Sequence, residues 1–235
     1  MSSQPNQSLI DGIRCLQYLI SNGHSVGCRE LARLMGLNVT RVNRLLMTLA
    51  SMGLAEQDEH RRYRPGHGIH ALAAQAIRGS SLFSQTLPLL EQHAPADLTV
   101  AMGVLWEDKV IYIYHSEPGL QVSQALAGFN TLPVWESVIG MALLAAEDDD
   151  ALRPRFTPAQ WQTLYPHLVE KRKHGHVVWR HNDGEVSMAR TIGSNRAAIA
   201  FAGMYQYHET AINDRLLALK TLAGQLNQAL VFNPQ

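Results

Sequence analysis

Residues 28 to 52 read CRELARLMGLNVTRVNRLLMTLASM, and this stretch predicts two short helices joined by a tight turn. Four apolar residues of the first helix share one face through i, i+3, i+4, i+7 spacing: Cys28, Leu31, Ala32 and Met35. Gly36 follows, where a chain leaving a helix often needs a positive φ. The side-chain oxygen of Asn38 can then cap the second helix. Gly53 can end that helix.

The second helix has two faces of opposite character. Its apolar residues recur at helical spacing and are predicted to be buried: Val42, Leu45, Leu46, Leu49 and Met52. The residues on the other face are polar and are predicted to be exposed: Thr40, Arg41, Asn43, Arg44 and Thr48. Such a helix fits the major groove of duplex DNA, where Arg pairs with guanine and Asn with adenine.

A short hairpin is predicted after this helix. Residues 54–57 and 61–64 are strand candidates, and the polar turn 58–60 separates them. The second strand is rich in arginine, which is typical of a wing whose side chains lie near phosphates. We assign base reading to Thr40, Arg41, Asn43 and Arg44, and the other DNA contacts to Arg29, Asn38, Thr48, Arg61, Arg62 and Arg64. The alternative is a surface helical hairpin whose arginines are only solvated.

Two further helices flank this region. Residues 8–21 predict a first helix that Ser8 caps, with one stripe expected to be buried: Leu9, Ile13, Leu16 and Ile20. Val26 lies in an extended stretch and is expected to pair with the wing. Residues 67–78 predict a linker helix with an apolar side: Ile69, Leu72, Ala73, Ala76 and Ile77. That side needs a partner, and a second copy of the chain is the simplest candidate.

The charge distribution separates the chain into two parts. A chain of 235 residues fits one or two domains, and its formal net charge is zero. Residues 1–66 contain eight Arg and no Lys against five acidic residues, a net charge of +3. The remaining residues contain twelve basic against fifteen acidic side chains, a net charge of −3. This asymmetry suits a DNA reader that is joined to a domain of another kind.

Cysteine use and hydropathy indicate the compartment. Cys15 and Cys28 lie on predicted apolar helix faces, which favours buried free thiols in a reducing cytoplasm over a disulfide. The first residues are polar and contain no apolar run suited to a signal peptide. No uninterrupted apolar span approaches twenty residues, so we expect no membrane segment.

From residue 81 onward the pattern predicts an α+β domain. A helix over 82–93 is followed by a hairpin of strands 98–106 and 110–115. Further strands are predicted over 120–126, 177–179, 186–192 and 197–205, and further helices over 135–146, 158–173 and 208–230. Helices beside an antiparallel sheet of about six strands define this class. The acidic run 147–150 is expected to be a solvated helix end or loop.

The residues described so far resemble the IclR family of bacterial transcription regulators. In the first domain the resemblance lies in Glu30–Arg33, Gly36–Leu37, Val42, Arg44–Leu46, Thr48–Leu49, Gly53 and Arg62–Arg64. In the second domain it lies in Leu132–Pro133, Gly140–Ala145, Gly184–Ile192 and Ala198–Gly203, which are less specific. The resemblance therefore covers most of the chain and is best over residues 8–64.

The resemblance implies an N-terminal winged helix-turn-helix joined by a linker helix to a GAF-like α/β effector-binding domain. It implies domains at 1–66, 67–80 and 81–235. It also implies a dimer or tetramer that binds a double-stranded DNA operator and responds to a small organic acid, sugar acid or aromatic compound. The expected cofactor is none. Whether transcription is repressed or activated stays open.

Several residues depart from the family pattern in the expected effector site. The positions concerned are Val138, Ile139, Trp179, Arg180, Ser187, Ala200 and Ala202. Val138 and Ile139 stand where the family often has small residues, and Ser187 stands where it often has Cys. These departures predict a smaller or more apolar pocket. Arg180 or Arg190 is a candidate to receive a carboxylate.

The histidine content of the chain indicates an alternative class of function. Eleven histidines raise the possibility of a metal or catalytic C-terminal domain, with the N-terminal helices used only for assembly. His174, His176 and His181 are the best metal candidates, yet no Cys, Asp or Glu accompanies them at ligand spacing. Residues 23–27 read GHSVG and so have Gly-x-Ser-x-Gly spacing, but they follow a predicted helix and not a strand, and Gly23 and Gly27 are expected to be turn glycines and not part of a nucleophile elbow. The chain lacks a Walker loop and a dinucleotide fingerprint. We therefore expect a regulator and not an enzyme, with neither catalytic nor metal-binding residues.

Overall fold

The computed structural model describes residues 4–119, 125 and 131–231. The chain divides into two compact units, Met1–Ser80 and Ser81–Gln235, and each is described by itself. Within the described residues, no helix combines the length and the hydropathy that a membrane span requires.

The first unit is a helix-turn-helix with a third helix, a wing and a following helix. Its helices are α1 (Gln7–Ser21), α2 (Cys28–Met35), α3 (Val39–Ser51) and α4 (Gly68–Gly79). The wing strands β1 (Ala55–Gln57) and β2 (Tyr63–Pro65) pair antiparallel, with Glu56 opposite Arg64. Val26 forms the predicted bridge to Tyr63, which ties the segment before α2 to the wing.

The turn between α2 and α3 is the one that the sequence predicts. Gly36 has φ +64°, and its N–H donates to the carbonyls of Ala32 and Arg33. The side chain of Asn38 accepts the backbone N–H of Arg41 at 2.7 Å, a cap that stabilises a helix by about 1 kcal/mol. Both local predictions are confirmed because each rests on backbone chemistry and does not depend on distant residues.

The predicted orientation of α1 is wrong. Leu9, Ile13 and Ile20 are exposed, and Leu16 packs partly against the core. The helix instead buries the adjacent stripe of Asp11, Cys15 and Leu19. Both stripes have helical spacing, so spacing alone could not decide between them. The buried stripe contains a carboxylate, which becomes tolerable only because another element supplies a cation.

Smaller differences occur at element ends. The cap of α1 is Asn6, which accepts the N–H groups of Ser8 and Leu9, so the predicted cap at Ser8 is wrong. Met52 was expected in the core but is 65% exposed. At the base of the wing, a Cβ on Gly66 would lie 2.3 Å from the carbonyl oxygen of Gly53. The close approach of these two backbone segments therefore requires glycine at residue 66.

The second unit contains five helices and six strands within the described residues. The helices are α5 (Ser81–His93), α6 (Val138–Leu144), α7 (Asp149–Leu152), α8 (Pro158–His174) and α9 (Glu209–Val231), with 3-10 turns at Val134–Glu136 and Arg153–Arg155. The strands are β3 (Thr99–Trp106), β4 (Lys109–Ser116), β5 (Leu132–Pro133), β6 (Val177–Arg180), β7 (Glu185–Ile192) and β8 (Ala197–Tyr205).

The strands form one antiparallel sheet in the order β5-β4-β3-β8-β7-β6. One core contains Met102, Met188 and Phe201 with residues of α5 and α9. A second core contains α6, α8 and the small side chains Ala101, Ala189, Ala198 and Ala200. Since successive strand residues point to opposite faces, these two cores lie on opposite sides of the sheet. The α+β class is confirmed.

The helix predicted over 135–146 is broken into two pieces. Val134–Glu136 is a 3-10 turn, Ser137 is extended at φ −130°, and α6 begins at Val138. The Ser137 hydroxyl accepts the N–H of Gly140 at 3.4 Å and so provides the cap that starts the second piece. The strand predicted over 120–126 lies outside the described residues except for Ala125, which is helical, so the prediction of a strand is wrong at that residue.

Candidate nucleic-acid interface and ligand site

The outer face of α3 carries the polar residues that the sequence assigns to base reading. Thr40, Asn43, Arg44 and Thr48 are exposed. The Thr48 hydroxyl donates to the Arg44 carbonyl at 3.0 Å, which orients it along the helix. No ion pair of Arg44 is found in the described part of the chain. This face therefore presents donors and acceptors at the spacing of a helix that can enter a major groove.

Arg41 differs from its neighbours on α3. A terminal nitrogen of its guanidinium lies 2.6 Å from Oδ2 of Asp11, and its side chain is only 38% exposed. Arg41 is therefore half-buried and not fully exposed, and its predicted role in base reading stays a prediction. Orientation explains the difference, since Arg41 turns toward α1.

Two of the wing arginines are also held by the protein itself. The guanidinium of Arg62 donates to the carbonyl of Ser25 at 3.0 and 2.7 Å and to Glu30 at 3.1 Å. Arg64 forms an ion pair with Glu56 at 3.2 Å. Arg61 is exposed at the turn with φ +57°, and Arg29 is exposed on α2.

Hydrogen bonds favour the charged form of two wing carboxylates, Glu56 and Asp58. Hydrogen bonds from His67, and then from Arg64, lower the pKa of Glu56. The backbone N–H of Arg62 is the main cause that lowers the pKa of Asp58. Asp58 accepts that N–H at 2.8 Å and the N–H of His60 at 3.0 Å, which closes the wing turn. Both carboxylates are surface groups, and their lowered pKa values mean that they are ionised at neutral pH.

The predicted effector residues fall into two groups in the second unit. Val138 and Ile139 on α6 and Ala200 on β8 lie in the same buried cluster, and Trp179 packs against it. Ser187 stands opposite Trp179 on the neighbouring strand and is 4% exposed. Arg180 does not join them, because it is exposed and forms an ion pair with Glu209 at 2.9 Å. Ala202 is half-buried on β8.

Three polar groups near this cluster were not assigned to it from the sequence. His181 lies with its ring centroid 4.0 Å from that of Trp179, and its Nε2 is 2.8 Å from the Ser187 hydroxyl. The Tyr112 and Ser137 hydroxyls are 2.9 Å apart at the start of α6, where burial raises the pKa of Tyr112. A serine just before an apolar run is a cap signal that could have identified Ser137. The hairpin register that brings His181 to Ser187 has no comparable local signal.

The histidines do not assemble into a metal centre within the described ranges. Nδ1 of His176 faces the carbonyl of His174 at 2.8 Å, and His181 is engaged by Ser187. No group of three or more His, Cys, Asp or Glu side chains in the part of the chain that the structure describes could hold a metal ion.

Two surface clefts lie elsewhere in the second unit. One of about 360 Å³ is lined by residues of α9 and by His93, and one of about 790 Å³ is lined by residues 145–151 and Arg172. None of the predicted effector residues lines either cleft. In the larger cleft, Arg172 bonds to the carbonyls of Ala145 and Glu147 and to Asp149, so it serves to fix that loop.

Comparison with known proteins identifies the family. Residues 9–59 match the model of the IclR helix-turn-helix domain, and residues 74–174 match that of the bacterial transcriptional regulator IclR C-terminal domain. Both matches belong to one family, and their order along the chain is that of the two units. The chain belongs to the IclR family of bacterial transcriptional regulators.

Individual relatives agree with this placement. The chain is similar to the HTH-type transcriptional regulator KdgR of Dickeya chrysanthemi, with 24% identity over 148 residues, 61% of this chain and 48% of the relative. The match thus spans about half the length of that protein.

Solved structures share the fold. An IclR family regulator from Brucella abortus has a TM-score of 0.78 at 22% identity, over 96% of this chain and 93% of that one. An IclR homologue from Microbacterium hydrocarbonoxydans in complex with 4-hydroxybenzoate has a TM-score of 0.70 at 20% identity, over 97% of this chain and all of that one.

Proposed function

We propose that the protein is a sequence-specific DNA-binding transcription regulator whose second unit responds to a small organic ligand. The observation that carries the proposal is the exposed polar face of α3 within a helix-turn-helix of this family. We infer that this regulator has no catalytic step and acts in the cytoplasm, where its DNA target lies.

A shift assay with duplex DNA from upstream of its own gene tests the proposal directly. The protein is expected to retain that DNA in the presence of excess unrelated duplex, and a genomic footprint of bound sites is expected to yield a shared operator. If unrelated duplex at the same concentration abolished retention of the upstream DNA, the result would contradict sequence-specific binding. Stoichiometric metal without DNA retention would instead favour a metal-binding or catalytic C-terminal domain.

For the DNA contacts, we infer base reading by Thr40, Asn43 and Arg44. Arg29, Asn38, Thr48 and Arg61 are assigned to the phosphate backbone, together with Arg62 and Arg64 of the wing. Arg62 already donates hydrogen bonds to the Ser25 carbonyl and to the Glu30 carboxylate. A DNA phosphate would share the Arg62 guanidinium with these two groups. Because a phosphate contact carries no sequence information, Arg62→Ala is expected to weaken binding to all DNA sequences and to reduce the salt dependence of DNA affinity.

We infer a homodimer or homotetramer. α4 buries none of its residues, and Leu72 and Ile77 on it are 51% and 47% exposed. A second copy can cover such a stripe through a two-fold contact, and two copies would double the small positive charge of the DNA-binding unit. Light scattering on the eluted protein measures the mass, and a monomer at micromolar concentration would count against this assignment.

For the ligand, we infer a small aromatic or carboxylate compound that lies beside α6. The supporting groups are the Trp179 ring, the His181 imidazole and the Ser187 hydroxyl, which lie together beside a buried apolar cluster. The complex of a relative with 4-hydroxybenzoate supports this chemistry. Arg180 already forms an ion pair with Glu209, so we do not assign it to bind a ligand carboxylate.

Thermal shift against carboxylates, sugar acids and hydroxybenzoates tests the ligand assignment. A stabilising compound is expected to lose its effect in Ser187→Ala and to keep it in Thr163→Ala, a control on the exposed side of α8. If no compound of the panel raised the unfolding temperature, the result would favour a second unit that serves only for assembly.

A further inference from the structure

The buried acid of α1 lies against the start of α3. Asp11 is 3% exposed, and it is the only acidic residue of α1. Its Oδ2 lies 2.6 Å from a terminal nitrogen of Arg41, an ion pair by distance whose geometry is not that of a hydrogen bond, and its Oδ1 accepts the side-chain amide of Gln7 at 2.8 Å. Asp11 therefore has one charged partner and one neutral partner, and the charged one is on α3.

Burial of Asp11 favours one position of the Arg41 side chain. A buried carboxylate without a compensating cation is strongly unfavourable, so the folded unit favours the position of Arg41 that faces Asp11. The side chain of Arg41 is less exposed than those of the polar face of α3, and residue 45, one turn further on, also approaches α1. There the Leu45 methyl group lies 3.9 Å from the Cβ position of Gly12. Arg41 thus belongs to the side of α3 that packs on α1.

Arg44 shows the contrast within the same helix. It is exposed, and no acidic partner of it is found among the residues that the structure describes. Of the two arginines of α3, one is held by a buried acid and the other faces solvent. An arginine that is free to contact phosphates raises the affinity of a protein for any DNA sequence, because phosphate contacts carry no sequence information.

We propose that Asp11 is a specificity-determining positioning residue that holds Arg41 against α1 and keeps it off the DNA. This inference rests on the proposed DNA-binding function and refines it. Base reading then depends on Thr40, Asn43 and Arg44. By neutralising Arg41, Asp11 limits non-specific affinity and raises the ratio of operator binding to background binding.

The test compares wild type with Asp11→Asn and with the double variant Asp11→Asn/Arg41→Gln. Dissociation constants are measured for an operator duplex and for a scrambled duplex over a range of salt concentrations. Asp11→Asn keeps the shape of the side chain but removes the charge that holds Arg41. It is expected to tighten binding to the scrambled duplex about threefold or more at low salt, with a salt slope steeper by about 0.9 for one added phosphate contact.

The double variant is the matched control, since it has the same net charge as wild type and lacks the arginine. It is expected to return both the scrambled-duplex affinity and the salt slope to within about twofold of wild type, while retaining operator affinity. Arg44→Gln serves as the positive control and is expected to lose roughly tenfold or more in operator affinity. A merely structural ion pair would leave the salt slope of the single variant at the wild-type value, since no phosphate contact would be added.

Two results would overturn the inference. One is a folded double variant that loses more than about tenfold in operator affinity, which would make Arg41 a DNA contact. The other is an Asp11→Asn protein whose binding to scrambled DNA is unchanged or weaker. Thermal unfolding of the double variant, in which no buried charge is left alone, shows that the fold is retained. Failure of the proposed function has a different signature, because wild type itself would then fail to retain operator DNA.

Discussion

Arg41 and Arg44 stand three residues apart on one helix and occupy different surroundings. Arg41 faces the buried carboxylate of Asp11, whereas Arg44 faces solvent. The sequence placed both on the polar face because helical spacing allows it. Only the contact with α1 separates them, and α1 is about thirty residues earlier in the chain.

Arg44→Ala is expected to weaken operator binding by roughly 1–3 kcal/mol and to relax one base position, because a bidentate contact to a guanine edge would be lost. Competition against single-base operator variants measures both effects. Arg78→Ala, an exposed arginine of α4, is the charge-matched control and is expected to leave base preference unchanged. Operator affinity that survives the Arg44 change would refute the assignment.

Cys15 is expected to resist thiol reagents in the native protein. Burial, with a smaller contribution from Cys28, raises the pKa of its thiol to about 12, so almost no thiolate exists at pH 8. The Cys28→Ser variant isolates Cys15, which should react only after denaturation. Cys15→Ser isolates Cys28, whose half-buried thiol should react faster. Rapid native labelling of Cys15 would show that α1 does not bury this face.

At the scale of elements, local signals predicted some helices well and others poorly. The turn at Gly36 and the cap at Asn38 depend on backbone groups within a few residues, and both are confirmed. The rotation of α1 about its axis depends on which of its two stripes packs against other elements. The spacing of residues along the sequence does not contain that information. Similarly, the break at Ser137 places α6 in a fully buried position that a continuous helix over 135–146 would not predict.

Gly140→Ala is expected to destabilise the second unit by about 1–3 kcal/mol, the range for overpacking a core. A Cβ there would lie 2.5 Å from the carbonyl oxygen of Val134, and backbone cannot move away as a side chain can. Gly224→Ala on the exposed side of α9 is the matched control. Its Cβ meets nothing within 4 Å, so it should stabilise the helix by about 0.5–1 kcal/mol.

Denaturant midpoints of the two variants measure these changes. Equal midpoints for Gly140→Ala and wild type would mean that α6 and the preceding turn do not approach as closely as the structure shows. The control separates this steric effect from the general gain in helix propensity when alanine replaces glycine.

At the scale of the molecule, the two units have separate cores and opposite charges. One core closes the helix-turn-helix, and two further cores lie on either side of the six-stranded sheet. The charge asymmetry was readable from the sequence, because counting residues requires no coordinates. Which helices cover which face of the sheet was not, because contacts such as those between α5 and α9 join residues more than a hundred positions apart.

Stability is expected to fall in mild acid. Burial is the main cause that lowers the pKa values of His115 and His176. The unfolded chain then binds more protons than the folded one, so this stability is present above about pH 6.5 and is lost as the pH falls through the folded values. Unfolding midpoints between pH 8 and pH 5 measure the loss.

Variants at two histidines make this prediction specific. His176→Gln is expected to flatten the acid dependence, whereas His208→Gln, at an exposed position, should leave it as in wild type. A wild-type midpoint that does not change over this range would contradict the assignment of a buried neutral His176.

By itself, the sequence determined the helix-turn-helix, the wing, the α+β class and the family, because each depends on local spacing, turn chemistry or motifs. Tertiary structure decided which face of α1 is buried, which arginine of α3 pairs with another helix, and how Trp179, His181 and Ser187 come together. The physical reason is that the burial of a charge or a hydroxyl depends on a partner, and in the pair of Asp11 and Arg41 that partner is on another helix.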